Sequence, residues 1–197
     1  MASLFDTLQA NAQRAGITAR TRASKKWFQK NIEKLKKPSR SALLKDDALD
    51  PVSKEYRGNM YMYIYDPKGK QELPYYDRFP LTIMIEGYKD GFLGLNLHYL
   101  RPDIRAKFLE ELMKLAPGRV KDNTRLLKAR YSLLQSTRKF KEFRPCLKRY
   151  LGNQIRSRLV RVPMTEWEIA IFLPTEQFVK QQKGAIWNES IRIARKT

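Results

Sequence analysis

"YKDGFLGLNLHYL", residues 88–100, is the stretch on which the fold turns. Asp90-Gly91 is a hairpin signal, because a two-residue turn between antiparallel strands needs positive φ and Asp-Gly supplies it readily. The residues that follow, 92–99, read as a strand. Leu93, Leu95, Leu97 and Tyr99 share one face, and Gly94, Asn96, His98 and Leu100 share the other. Leu95 is expected to be buried with Leu93 and Leu97. The strand before the turn lies in "LPYYDRFPLTIMI" (residues 73–85) and is placed near 79–86, flanked by Pro74 and Pro80, which a central ladder would exclude. Before it, "GNMYMYIYDPKGKQE" (residues 58–72) alternates Met60, Met62 and Ile64 against Tyr61, Tyr63 and Tyr65 and then turns at "DPKGK".

Three strands do not close a core. "RLVRVP" (158–163) and "WEIAIFLP" (167–174) read as two more, joined by a tight "MTE" turn, with no other place to bury their apolar residues. Segments 60–65, 79–86, 92–99, 158–163 and 167–173 are therefore expected in one sheet. Around them the period is helical. Ser3 is positioned to cap a helix over 3–15 with Leu4, Phe5, Leu8 and Ala12 on one face, ended by Gly16. A second helix, 21–37, carries Trp27, Phe28, Ile32 and Leu35 and stops at Pro38. Residues 102–115 form a short helix opening on Pro102, with Ile104, Phe108, Leu109, Leu112 and Leu115 as its buried stripe. A longer helical region follows over about 122–154, kinked or split at Pro145, and a closing helix starts at Thr175. The fold class is α+β: a small bent antiparallel sheet or SH3-like partial barrel with N-terminal helices, a basic helical insertion and a C-terminal helix. Residues 1–57 are expected to form a basic N-terminal helical arm and linker. Residues 58–197 would be an α+β core, with the basic helical insertion at about 119–157.

Charge is the strongest global signal. The 197 residues hold 40 Lys and Arg against 20 Asp and Glu, a net charge of +20. Residues 14–40 are net +9, residues 119–161 are net +12, and everything else sums to −1. A lopsided pair of segments implies a polyanionic partner, because like charges repel along a helix unless something neutralises them. A composition with 42% hydrophobic residues argues against wholesale disorder. The single cysteine, Cys146, excludes an internal disulfide and a multi-thiolate zinc site. No long apolar run suggests a membrane span, and the N-terminus does not read as a secretory signal.

Catalytic constellations are thin. His98 is the only histidine, and a general acid or base needs partners. A hydrogen-bonded histidine on the polar face of a strand is the commoner condition and is preferred. Glu166 and Glu168 alternate around Trp167, so a nuclease built from them and His98 is conceivable, but no spacing requires it. No phosphate-binding loop, nucleophile elbow or metal-ligand spacing is present, and no cofactor is expected. Tyr61, Tyr63, Tyr65, Tyr75 and Tyr76 could stack on unpaired bases, but few cations lie near them in sequence, and packing is favoured.

"LPYYDRFPL" followed by "YKDGFLGLNLHYL", with "MYMYIYDPKGK" before them and "ARTRASKKWFQKNIEKL" near the N-terminus, resembles small virion-associated or DNA-handling proteins of T4-like tailed bacteriophages. The resemblance covers about residues 16–115. It implies a phage origin and a virion or DNA-handling role, and it supplies no catalytic residues. Together with the charge it favours a non-enzymatic virion protein that grips nucleic-acid phosphates without sequence preference: packaged double-stranded DNA, a DNA end, or the head and neck interior. Arg20, Arg22, Lys25, Lys26 and Lys30 would form one grip; Arg138, Lys139, Lys141, Arg144, Lys148 and Arg149 would form the other. Further virion proteins are expected as partners, and the location is the virion, or the host cytoplasm during assembly. One alternative is a structural subunit of neck, tail or baseplate docked through Leu4, Phe5, Leu8 and Trp27. The other is a phage nuclease, which gains if His98, Glu166 and Glu168 converge in one pocket.

Overall fold

A computed structural model describes residues 3–52, 57–114 and 141–196. The chain belongs to the α+β class, as the residue pattern led one to expect. Six strands form one open antiparallel sheet: β1 (Asp50–Val52), β2 (Met60–Met62), β4 (Leu81–Tyr88), β5 (Gly91–Asn96), β6 (Leu147–Leu151) and β7 (Leu159–Val162), in the order β1-β7-β2-β4-β5-β6. β3 (Tyr76–Asp77) and β8 (Phe178–Val179) make a separate two-stranded ribbon. The helices are α1 (Leu4–Arg14), α2 (Arg22–Ile32), α3 (Arg40–Leu43), α4 (Pro102–Lys114), α5 (Trp167–Ala170) and α6 (Lys183–Lys196).

The β4–β5 hairpin turns at Lys89-Asp90, with Tyr88 paired to Gly91, and two glycines set how closely its neighbours approach. Gly91 sits at φ +152°, and a Cβ there would lie 2.0 Å from the Tyr150 carbonyl oxygen of β6. A Cβ at Gly94 would lie 2.1 Å from Thr82 Cγ2 of β4. Both contacts are far inside van der Waals distance, so β5 can be central only with glycine at these positions. Leu81–Ile85 of β4 are all buried because both faces are covered, Ile83 and Ile85 joining one cluster and Met84 the other, and the register with β5 shifts at a bulge between Met84 and Glu86.

The sheet buries both faces. Met60, Met62, Leu81, Ile83, Leu95, Val160 and Val162 point to the helical side, where Phe5 and Leu8 of α1, Phe28 and Ile32 of α2, Leu109 of α4 and Trp167 of α5 complete the main core. Tyr61, Tyr63, Met84, Phe92, Tyr150 and Leu159 form a second, aromatic cluster on the opposite face. The alternation read in residues 60–65 thus assigns each side chain to its face. Leu95 and Leu97 are buried as expected, whereas Leu93 is half-buried and belongs to neither cluster.

Several elements differ from the sequence expectation. Residues 167–173 are not a strand: Trp167–Ala170 is helical, and the segment is buried on every side. An element covered all round shows no amphipathic period, so a short apolar run reads equally well as strand or helix. Residues 147–151, expected inside a basic helix, are the edge strand β6, preceded by a 3₁₀ turn over Lys141–Cys146 that contains Pro145. Residues 50–52, expected as linker, form the opposite edge, where the missing N–H of Pro51 is tolerated. The strand expected over 92–99 ends at Asn96, whose side chain caps a 3₁₀ turn over Leu97–Tyr99. The closing helix begins at Lys183, not at Thr175, and α2 ends at Ile32, leaving Leu35 exposed.

The N-terminal helices are fastened to this core by their caps. Ser3 Oγ accepts from the N–H groups of Phe5 and Asp6 and donates to Asp46 Oδ1 at 2.5 Å, while Asp46 Oδ2 accepts from Leu4 N–H. Thr21 and Ser24 form a capping box on α2. The Glu168 carboxylate reaches the same helix end, accepting from Arg20 N–H at 2.8 Å and from Ser24 Oγ at 2.7 Å. A carboxylate at a helix N-terminus meets both the orphan N–H groups and the positive end of the dipole.

Candidate nucleic-acid interface

The capping box and the Phe28/Ile32 contact fix how α2 faces solvent. Arg22, Lys26 and Lys30 follow one another at i, i+4 spacing and are all exposed, on the side of the helix away from Phe28 and Ile32. Arg20, at φ +62°, is exposed just ahead of them. Lys25 is different: only 7% exposed, it lies along the protein between the stripe and the core. Among the described residues none of Arg22, Lys26 and Lys30 has a carboxylate partner, and no acid stands in the first turn.

The second basic segment is split by the fold. Arg138 and Lys139 lie outside the described residues. Lys141 opens the 3₁₀ turn over Lys141–Cys146, and Arg144 in the same turn is exposed. Lys148 and Arg149 are neighbours on β6, so the pleat sends their side chains to opposite faces. Arg149 is largely committed to the hairpin: its guanidinium pairs with Asp90, donates to the Tyr150 carbonyl at 3.1 Å, and lies 4.3 Å from the centre of the Tyr88 ring. Lys148 places its Nζ 4.3 Å from the centre of the Tyr99 ring, and burial lowers its pKa from the usual lysine value.

Beside Lys148 opens a cleft of about 310 Å³ with tyrosine walls. Tyr75 and Tyr76, both half-buried, line it together with Tyr65, Tyr99 and Tyr150, and Lys68 and Arg149 stand at its border. Its floor is rigid: Tyr150 meets Tyr63 at 5.5 Å and Tyr65 at 4.9 Å, both edge to face. The five tyrosines singled out in the sequence therefore divide. Tyr61 and Tyr63 are core residues, and Tyr65, Tyr75 and Tyr76 reach the cleft.

His98 is buried with a complete set of partners. Its Nδ1 lies 2.7 Å from Asp77 Oδ2, and its Nε2 lies 3.1 Å from Thr175 Oγ1. Asp77 also accepts from Asn96 Nδ2 and from the N–H groups of Phe79 and Gln177. Burial alone would raise the Asp77 carboxyl, but the attraction and hydrogen bond of His98, with those of Asn96 and Gln177, hold it below its ordinary value. The order Asp–His–hydroxyl imitates a nucleophilic triad. Yet His98, Asp77 and Thr175 are 0%, 3% and 1% exposed, so no substrate reaches the hydroxyl. The cluster instead ties β3, the turn at 97–99 and the 173–178 segment together.

Glu168 is held at the α2 N-terminus, and Glu166 is within 3.5 Å of Gln9 on α1. Neither shares a partner with His98. Among the described residues no group of three or more His, Cys, Asp or Glu side chains is placed to hold a metal ion. Burial lifts the Cys146 thiol to about 12. No helix among the described residues is long and apolar enough to cross a membrane.

The family model described as phage T4 terminal DNA protecting protein matches residues 1–191. The chain belongs to this family. No curated protein and no solved structure matches it. The likeness to T4-like phage DNA-handling proteins is thereby shown, and it extends beyond residues 16–115 to nearly the whole chain. As a member of the terminal DNA protecting family, the protein is a phage protein associated with DNA. The residue pattern pointed to the charged segments and missed the cleft. Its tyrosines and its lysine lie far apart along the chain, and only the pairing of β6 with β5 brings them together.

Proposed function

We propose that this terminal DNA protecting family member acts without catalysis, by binding the ends of linear double-stranded phage DNA and gripping the phosphates without sequence preference. The reading rests on one observation above all. Arg22, Lys26 and Lys30 form an exposed stripe without carboxylate partners among the described residues, on a helix that its caps and its apolar face hold rigidly. Fixed cations on a chain of net +20 are suited to replacing the counterions of a phosphate backbone. Arg20 and Arg144 extend the exposed set, and Arg138, Lys139, Lys141, Lys148 and Arg149 complete the proposed interface, with the largely buried Lys25 behind the stripe. The DNA it meets would be that of the virion, alongside other virion proteins.

The test is exonuclease protection. Full-length protein added to linear duplex should slow digestion by a processive double-strand exonuclease, while closed circular DNA treated with an endonuclease gains no comparable protection. Digestion of both at unchanged rates, or metal-dependent cutting by the protein itself, would overturn the reading.

A further inference from the structure

We propose that the tyrosine-walled cleft beside β6 receives a single unstacked nucleotide from the DNA terminus, with its base against Tyr75 and Tyr76 and its phosphate on Lys148; this rests on the DNA-end reading above. Size comes first. A volume of about 310 Å³ is at the small end of ligand pockets and admits one nucleotide, not a duplex. An occupant from DNA must therefore be unpaired, and a terminal residue leaves the stack at least cost because it has only one neighbour.

The walls offer what an unpaired base needs. Aromatic faces bind bases of any identity by stacking. Tyr75 is preorganised for this: its ring stands 6.1 Å from Tyr99, and burial, with a hydrogen bond to Glu189, raises its pKa to about 12. The charge is also of the right sign. Lys148 is half-buried, its ammonium lies over the Tyr99 ring, and among the described residues it has no carboxylate within ion-pair distance, although Glu189 attracts it from further away. A half-buried cation with no carboxylate at contact distance has donors left for a phosphate oxygen. Of the carboxylates near the cleft, Asp77 in its lining has both oxygens occupied by His98, Asn96 and two backbone N–H groups, and Glu189 behind it is engaged by the Tyr75 hydroxyl.

The experiment compares three DNAs of equal length with full-length protein: a blunt linear duplex, a duplex ending in one unpaired nucleotide, and a dumbbell whose ends are closed by loops. The unpaired end should bind about tenfold tighter than the blunt end, the scale of one base–aromatic stack. Replacing the unpaired nucleotide by an abasic residue should erase that gain. Tyr75→Leu should reduce the preference for the unpaired end while leaving dumbbell binding and its salt dependence unchanged, and Lys148→Gln should reduce that preference by more than it weakens dumbbell binding. Where Tyr75→Leu lowers the thermal melt, Lys148→Gln on the edge strand and the abasic DNA with the unaltered protein carry the result. Equal affinity for all three DNAs overturns this inference and leaves general DNA binding standing. A protein that binds none of them overturns both.

Discussion

Replacing Arg22, Lys26 and Lys30 together by glutamine removes the best-defined part of the interface without touching the core. The three side chains are exposed, and the apolar face of α2 is formed by Phe28 and Ile32 instead. Along the helix, Arg22 to Lys30 spans about 12 Å at roughly 1.5 Å per residue. That is the length of three to four nucleotides at about 3.4 Å each along one strand, so each cation can meet its own phosphate. The exposed described cations of the proposed set are Arg20, Arg22, Lys26, Lys30, Arg144 and Arg149, and all but Arg149, which pairs with Asp90, are without a carboxylate partner among the described residues. If those five engage, log Kd against log salt should have a slope of about 4.5, from roughly 0.9 per phosphate contact. The triple variant should retain a slope of about 1.8. Fluorescence anisotropy with a labelled random duplex between 50 and 300 mM salt reads both slopes. The loss should be the same for unrelated sequences, because phosphate contacts position a protein without encoding bases. A slope that falls by less than about 1 in a variant with an unchanged thermal melt would show that α2 faces away from DNA. The phosphate grip would then have to lie elsewhere.

Three further outcomes follow from the core. Leu95→Ala, at a fully buried site in the central strand, should cost about 2–5 kcal/mol in denaturant melts; a cost below about 0.5 kcal/mol would show that this face is open. Gly94→Val should prevent correct assembly of β5, since even a Cβ meets Thr82 Cγ2 at 2.1 Å; normal expression and melting would refute the close β4–β5 approach. Asp77→Asn should destabilise by about 1–3 kcal/mol, the range for leaving buried hydrogen-bond donors unsatisfied, because Asp77 accepts from Asn96, Phe79 N–H and Gln177 N–H and pairs with His98 Nδ1. Because the folded Asp77 pKa is lowered, the stability it contributes is complete above its unfolded value and is lost as pH falls below about 4; a variant with the same acid melting curve as the parent would contradict the assignment.

What was legible in the sequence had a local cause. α1 could be read because Ser3 caps it and Phe5, Leu8 and Ala12 recur at helical spacing. β2 could be read because methionine and tyrosine alternate, and each type has its own buried face. The hairpin could be read from Asp90-Gly91. Elements whose identity depends on distant partners could not. Nothing near Leu147–Leu151 marks a strand: its basic residues dominate the composition, and its ladder is supplied by β5. Trp167–Ala170 sits inside the core and has no polar face to reveal a period. The candidate site shows the same division. The exposed stripe of α2 follows from local periodicity, whereas the cleft requires β3, β6 and the turn at 97–99 to be brought together. His98 looked like a residue in search of a role. Its role depends on Asp77 and Thr175, which no spacing connects to it.

The distribution of charge explains how a chain of net +20 can fold at all and still serve a polyanion. Like charges destabilise a compact state through mutual repulsion. Here the cost is limited because the basic residues ride on elements whose stability comes from elsewhere. α2 is held by Phe28, Ile32 and the Glu168 cap, so its outer stripe can stay cationic. β6 is held by its ladder to β5 and by Tyr150 in the aromatic cluster. Its Lys148 and Arg149 also guard the open sheet edge, where unpaired backbone groups would otherwise recruit another strand. Cations on ordered elements lose less freedom on binding than those of a flexible basic tail, so more of each phosphate contact survives as affinity. On the proposed reading the two basic regions divide the task. A rigid stripe grips duplex phosphates anywhere along DNA, and only a cleft too small for a base pair can distinguish the end from the interior.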